Sequence, residues 1–294
     1  MPPSSADAAG RPTTGAPVSR RAVREAARRR RARRSAGISA ASTVVLLSLV
    51  AVVILTSSGW PDVRETFFSR QAFADAFPDV LRGFWLDVKL FLVCEVFILA
   101  LALLVALARM STTPALFPLK ALAIGFVDVF RGIPTVLLIY LVGFGIPALA
   151  LQGLPTDPLV LGGLALVLNY SAYVSEVYRA GLESVHPSQR AAGLALGLTN
   201  VQALRFVVLP QAVRRVLPPL LNDFISLQKD VALVSILGPL EAFRQAQIYA
   251  SSNFNYTPLL AAALLYFAVT FPLARILDRI QARQRLAFAA GAPR

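Results

Sequence analysis

The chain has 294 residues, 56% of them hydrophobic and only 15% charged, against about half and a quarter in soluble proteins. That balance excludes an ordinary water-soluble domain and points to a polytopic membrane protein. The single cysteine, Cys94, allows no intrachain disulfide, and the formal net charge of +13 has to be located before nucleic acid is invoked.

Met1–Gly37 is rich in Ala, Arg, Ser and Pro with almost no large apolar residue, a composition that predicts disorder. Ten of the 29 basic residues lie here, nearly all within Arg20–Arg34. Directly before an apolar span, such a run holds that end in the cytoplasm beside membrane lipid; no nucleic-acid partner is expected. Ile38–Thr56 carries no charge over 19 residues, close to the roughly 20 that cross a bilayer. The basic region is too long for a signal peptide and no clear A-x-A site follows, so 38–58 reads as an uncleaved anchor helix.

Residues 59–81 alternate acids, aromatics and prolines and read as an outer-face connector. A transmembrane domain follows over 82–278. Its expected spans are Arg82–Ala108, Ala121–Leu151 (interrupted by Pro134 and several glycines), Leu159–Ala180, Val213–Gly238 and Thr257–Leu277. Arg109–Lys120, Gln152–Pro158 and an amphipathic Pro239–Tyr256 connect them, and 279–294 is a basic tail. The expected fold is an all-α membrane bundle of about six transmembrane helices. With the N-terminus inside, inner segments hold 22 basic residues and outer ones hold Arg64, Arg70, Arg82 and Arg244. That asymmetry places both termini in the cytoplasm.

His186–Pro210 lies between two apolar segments and carries two arginines and no acid. Pro187 suits a helix's first turn, and Gly197 suits the positive φ that ends one. Thr199 and Gln202 have the spacing of a capping box, and Leu209-Pro210 is expected to stop the second helix. The prediction is a compact cytoplasmic hairpin of two short helices.

Ionisable groups within spans are costly and default to functional candidates. Glu95 and Lys229 lie near the middles of their spans. Ser226–Ser235 holds five polar residues at bilayer depth, which predicts a helix break or the wall of a wet cavity. Lys229 and Asp230 could pair with the charges of a zwitterionic solute, or with each other. Glu176 and Arg179 share a helix face and predict a local ion pair at an inner gate. The candidate pathway residues are Glu95, Arg131, Glu176, Arg179, Asn222, Asp223, Ser226, Lys229 and Asp230. No metal cluster, catalytic pair or cofactor site is expected: His186 reads as a residue at a helix start and Cys94 as buried.

The hairpin resembles the EAA loop of ABC-importer permeases, which docks on the ATPase subunit. Ala192 and Gly193 match the small pair, Gly197 the glycine, and Leu209-Pro210 the terminal pair, whereas Ala191 stands where the family has glutamate. Phe130-Arg131-Gly132-Ile133-Pro134 resembles the F-R-G-T-P stretch of permeases for polar amino acids, with Ile133 in place of threonine. Ser171–Gly181 and Leu217–Gly238 resemble the segments flanking the loop, so the resemblance covers about Arg82–Tyr256. It implies a type I importer-like permease subunit for polar amino acids, of the histidine/glutamine/glutamate kind, in a bacterial cell membrane. Implied partners are ABC ATPase subunits, an extracytoplasmic amino-acid-binding protein and a second permease chain, identical or paralogous. The implied coupling residues are Arg190, Ala191, Ala192, Gly193, Gly197, Leu198, Arg205, Leu209 and Pro210. With Ala191 lacking a carboxylate, that contact is expected to be apolar or to use Arg190 and Arg205. Many members have five spans, so the anchor helix is an addition.

No G-x-x-x-x-G-K-[ST] loop occurs, so nucleotide energy has to enter through a partner. An ion-coupled secondary transporter or channel, with Glu95, Glu176 and Lys229 as a relay, is the alternative; it leaves the hairpin unexplained. A membrane enzyme ranks last. Among amino acids the sequence leans to glutamate or another polar one.

Overall fold

The computed structural model describes the backbone of residues 20–291 and the side chains of Arg31 and of residues 35–282. The expected disorder of residues 1–19 lies outside that range. From Arg20 onward the expectation of disorder gives way to helix α1 (Arg20–Leu55). Alanine and arginine are strong helix formers, so the apolar helix propagates into the basic stretch. The chain divides into two compact units, residues 1–62 and 63–294.

In the first unit, the apolar part of α1, Ser35–Leu55, exposes side chains around its whole circumference. A helix bathed in lipid has this pattern. Helix α2 (Trp60–Phe67) bridges the unit boundary.

The second unit is a helical bundle. Helix α3 (Arg70–Met110) starts at Ser69, whose Oγ accepts from Ala72 N at 3.3 Å. At 1.5 Å per residue its 41 residues reach about 60 Å, twice the hydrocarbon thickness. Residues 70–81 are thus continuous with the span that follows. Helix α4 (Phe117–Gly132) and helix α5 (Thr135–Ala148) are one apolar segment bent by 109°. Pro134 lacks the amide hydrogen that would continue the ladder, and its ring forces Ile133 into extended backbone, φ −99° and ψ 129°.

Helix α6 (Pro158–Glu183) is capped by Asp157, whose Oδ1 accepts from Val160 N at 3.0 Å. It is the axis of the bundle, packed against α3, α4, α5 and the segment after the hairpin. Lipid tails are as apolar as leucine, so burial against other helices rests on close van der Waals fit. Ile98, Ile139, Leu161, Leu166, Leu227 and Val234 fill this core with no exposed surface.

The hairpin comprises α7 (Pro187–Ala195) and α8 (Asn200–Ala203). Leu209-Pro210 does not stop the chain's helix, contrary to expectation. A π-helical turn over Leu204–Val208 carries it into α9 (Leu209–Asp230). The wider turn shifts the hydrogen-bond register, and Pro210 falls in the first turn of α9, where its missing donor costs nothing.

Among the described residues, four helices are long and apolar enough to cross a membrane, and five segments qualify if the bent α4–α5 pair counts as one span. The expected span Val213–Gly238 is not among them, because α9 carries Arg214, Arg215, Asp223, Lys229 and Asp230. It nevertheless runs the length of α6. Val216 packs on Gly181 near one end of α6, and Val234, in a 3-10 segment (Val231–Leu237), packs on Gly162 near the other. A Cβ on either glycine would collide with these valines. Neighbouring helices, rather than its own composition, hold this polar segment at depth.

Helix α10 (Ala242–Asn253) packs on α3, and α11 (Thr257–Gly291) closes the bundle. The α10–α11 turn is tied to α2 and the start of α3. Tyr256 N donates to Thr66 O at 2.7 Å, Asn255 Nδ2 to Glu65 O at 2.9 Å and Ser69 N to Thr257 Oγ1 at 3.0 Å.

Candidate functional site

The break between α4 and α5 frees carbonyls at the end of α4 that lipid cannot satisfy. Two polar residues of α6 serve them. Asn169 Nδ2 donates to Phe130 O at 2.8 Å, and Tyr173 Oη donates to Arg131 O at 3.4 Å. Thr135 Oγ1, at the first position of α5, donates in turn to Asn169 Oδ1 at 3.1 Å. The helix break and the polar face of α6 are therefore one feature.

That face looks onto the polar side of α9 across a cavity of about 320 Å³, lined by Thr135, Asn169, Tyr170, Tyr173, Asp223, Ser226, Lys229 and Asp230. Tyr170 Oη donates to Asp230 Oδ2 at 2.7 Å. A second cavity of about 420 Å³ adjoins it and shares Tyr173 and Asp223. Arg131, Glu176, Ala180, Ser184 and Arg215 line its far part. Together they follow α6 from Asn169 to Ser184, about 22 Å of helix, and Arg131, Glu176, Arg215, Asp223, Lys229 and Asp230 are their charged lining residues.

Asp223 faces both cavities, and its Oδ2 is buried without a hydrogen-bond partner. An unpaired buried carboxylate oxygen is costly.

At the other end of the track, Glu176 is a hub. Its carboxylate pairs with Arg179 Nη2 at 2.8 Å, with Arg131 Nη1 at 3.7 Å and with Arg109 Nη1. Arg179 Nη1 also reaches Glu183 Oε2 at 2.6 Å. The expected Glu176–Arg179 pair is present, inside a larger cluster that ties the C-terminal ends of α3 and α4 to α6.

Of the pathway candidates, Arg131, Glu176, Asp223, Ser226, Lys229 and Asp230 line the two cavities. Glu95, half-buried on α3, together with Arg179 and the exposed Asn222, lines neither. The five-polar stretch Ser226–Ser235 contains both a cavity wall and a break, where the α-helix ends at Asp230 and the 3-10 segment begins. Asn169, Tyr170, Tyr173 and Arg109 were not singled out by sequence. An N-Y-S run in an otherwise apolar span was the available signal for the first two.

The hairpin is closed by local chemistry. His186 Nδ1 accepts from Ser188 N at 3.2 Å. Gly197 sits at φ +87°, while Leu198 N donates to Gly193 O at 3.1 Å and Gly197 N to Leu194 O at 3.0 Å. This double bond pattern around a left-handed glycine ends α7. Thr199 N donates to Gln202 Oε1 at 2.8 Å and Gln202 N to Thr199 Oγ1 at 3.3 Å, so the capping box is formed.

Gly193 is buried against Leu198, Ala203 and Val207, while Ala191, Ala192, Arg205, Leu209 and Pro210 are exposed. Leu196, Val201 and Phe206 are 86%, 72% and 62% exposed. Arg190 Nη2 donates to Asn200 Oδ1 at 3.0 Å across the hairpin, and the Arg205 guanidinium lies 5.6 Å from the Phe206 ring centre. A groove of about 760 Å³ runs beside it, lined in part by Met110, Arg190, Ala191, Leu194 and Val201.

A further polar cluster lies apart from the track, where α10 meets α3. A Cβ on Gly83 would stand 2.5 Å from the Glu241 carbonyl carbon, so only glycine allows this approach. Glu241 caps α10, accepting from Phe243 N at 2.7 Å and Arg244 N at 2.6 Å. Tyr266 Oη donates to Asp87 Oδ2 at 2.6 Å and reaches Glu241 Oε2 at 3.3 Å. Burial, and then the Asp87 carboxylate, push Glu241 up to about 8. Among the described residues no group of three or more His, Cys, Asp or Glu could hold a metal ion.

Residues 98–286 match the family described as the binding-protein-dependent transport system inner membrane component. The glutamine transport system permease protein GlnP of Escherichia coli (strain K12) is 36% identical over 165 residues, 56% of this chain and 75% of that protein. The arginine transport system permease protein ArtQ of Bacillus subtilis (strain 168) is 33% identical over 197 residues, 67% of this chain and 88% of that protein. The crystal structure of an amino acid ABC transporter with histidines superposes with a TM-score of 0.66 at 31% identity, over 73% of this chain and 98% of that chain.

Proposed function

The chain belongs to the binding-protein-dependent transport system inner membrane component family, and on that premise we propose that it is the permease subunit of an ABC importer for polar amino acids. The polar track between α6 and α9 is the translocation pathway. The unpartnered Asp223 carboxylate at the junction of its two cavities is the observation that carries this reading. Asp223 receives the α-ammonium group of a zwitterion, while Lys229 and Arg131 flank its carboxylate. Glutamate, with a second carboxylate, is the first substrate to test, against glutamine and arginine.

Energy enters through separate ATPase subunits that grip the His186–Pro210 hairpin, and an extracytoplasmic binding protein delivers the solute. A second permease chain completes the pathway, and both termini face the cytoplasm, as the distribution of basic residues supports. The bundle alternates between inward and outward forms that nucleotide and loaded binding protein bias in opposite directions. The Glu176 cluster ties the helix ends beside the hairpin, so it is the element through which hairpin motion reaches α3, α4 and α6.

The test is uptake of labelled amino acids into proteoliposomes holding this chain, its ATPase and its binding protein. ATP-dependent accumulation of a polar amino acid, with KM raised at least tenfold by Asp223→Asn, is the expected result. Accumulation driven by an ion gradient without any ATPase would replace the reading with the secondary-transporter alternative.

A further inference from the structure

The hairpin's charge specifies its partner more narrowly than "an ATPase". The 39 residues from Ser184 to Asn222 contain no aspartate or glutamate. Membrane topology accounts for arginines on an inner loop but does not demand the absence of acids, which contribute little to orientation. Inside this window the exposed apolar residues Leu196, Val201 and Phe206 stand beside two guanidinium groups. Arg190 is held by the neutral amide of Asn200, and Arg205 lies over the Phe206 ring. Glu183 lines the adjoining groove, but its carboxylate is taken by Arg179 at 2.6 Å. The hairpin therefore carries cations without a counter-charge of its own.

We propose that the hairpin docks into an acidic-rimmed apolar groove on the ATPase subunit, with partner carboxylates facing Arg190 and Arg205. This rests on the reading of the chain as an importer permease. Covering Leu196, Val201 and Phe206 removes Arg190 and Arg205 from water, and a guanidinium desolvated without an anion is costly. A neutral or basic groove would leave that cost uncompensated. The exposed Ala191, adjacent to Arg190 in sequence, then sits in a region of negative potential supplied by the partner.

Ala191→Glu reads the sign of that potential. The full chain in nanodiscs is titrated with the ATPase subunit of its own assembled importer, from 50 to 500 mM salt, alongside Ala191→Gln as an uncharged control of similar size. We expect Ala191→Glu to weaken docking about tenfold more than Ala191→Gln does at low salt. The parent should lose affinity as salt rises. Arg190→Gln with Arg205→Gln should weaken docking and flatten the salt dependence. Tighter binding by Ala191→Glu, or salt-independent binding by the parent, overturns the acidic groove while leaving the importer reading intact. No binding of the ATPase subunit to the parent chain overturns both. Thermal unfolding of each variant in nanodiscs verifies that the bundle is unchanged.

Discussion

Asn169 on α6 donates its amide to the carbonyl oxygen of Phe130 at 2.8 Å, closing the gap left where α4 breaks before Pro134. Asn169 is buried to 2% exposure and also accepts from Thr135. Asn169→Leu keeps the volume and strands both partners at depth. It should cost about 1–3 kcal/mol, read as a lowered Tm of the purified chain. Thr135→Val should cost less, because Asn169 keeps its bond to Phe130.

Glu176 neutralises a cluster in which Arg109, Arg131 and Arg179 converge. Glu176→Gln leaves three guanidinium groups facing one another, with Glu183 beside Arg179 as their remaining anion. The loss should be about 3 kcal/mol, near the low end for a buried pair because Glu176 retains 19% side-chain exposure. Adding Arg109→Gln to Glu176→Gln should restore part of the Tm, since it removes one of the repelling charges. An additive double variant would show that the cluster carries no coupling.

Asp223→Asn should raise KM for uptake at least tenfold, worth about 1.4 kcal/mol. The chain should insert and fold normally, and its Tm should hold or rise, because an unpaired buried carboxylate has been removed. Unchanged KM would exclude Asp223 from substrate contact.

Glu241 gives the stability a pH dependence. The folded chain keeps its proton up to about pH 8, whereas the ordinary glutamate value is 4.5. The folded state binds more protons across that interval, so stability falls as pH rises through it. The groups facing Glu241 are Asp87 from α3, Tyr266 from α11 and the backbone N–H groups of Phe243 and Arg244 from its own helix. Tm should drop by about 5 °C or more between pH 5 and pH 9. Glu241→Gln should flatten most of that slope, and a slope identical to the parent's would dissociate it from this carboxyl group.

Gly197 ends α7 at φ +87°, where a β-branched residue is strained. Gly197→Val should reopen the hairpin at a cost of about 1–2 kcal/mol while the rest of the bundle stays folded. Uptake should fall far more than Tm, because the hairpin lies outside the packed core. Normal ATP-driven uptake in this variant would remove the hairpin from the coupling route.

Much of this architecture was legible from local rules. The break at Pro134, the left-handed Gly197 and the Thr199–Gln202 capping box each depend on residues within four positions of one another, and the anchor helix on one uninterrupted run, Ile38–Thr56. Arg179 could likewise be assigned to Glu176 from one helical turn of spacing. Arg109, 67 positions away, could not. Its partnership exists because α3 and α6 lie side by side, and no periodicity encodes which helix faces lie side by side. The same holds for Asp87, Glu241 and Tyr266, and for Asn169 reaching back to Phe130.

The polar segment Val213–Gly238 shows the division most directly. By composition alone α9 is too charged to cross lipid, and it runs at depth only because α6 presents Gly162 and Gly181 for close approach and a polar face along its length. Sequence determined the Pro134 break, the Gly197 turn and the Thr199–Gln202 cap, since those energies are local. Tertiary packing decided which carboxylate oxygens are paired and which, as at Asp223, are left open, since that depends on helices brought together across the whole chain.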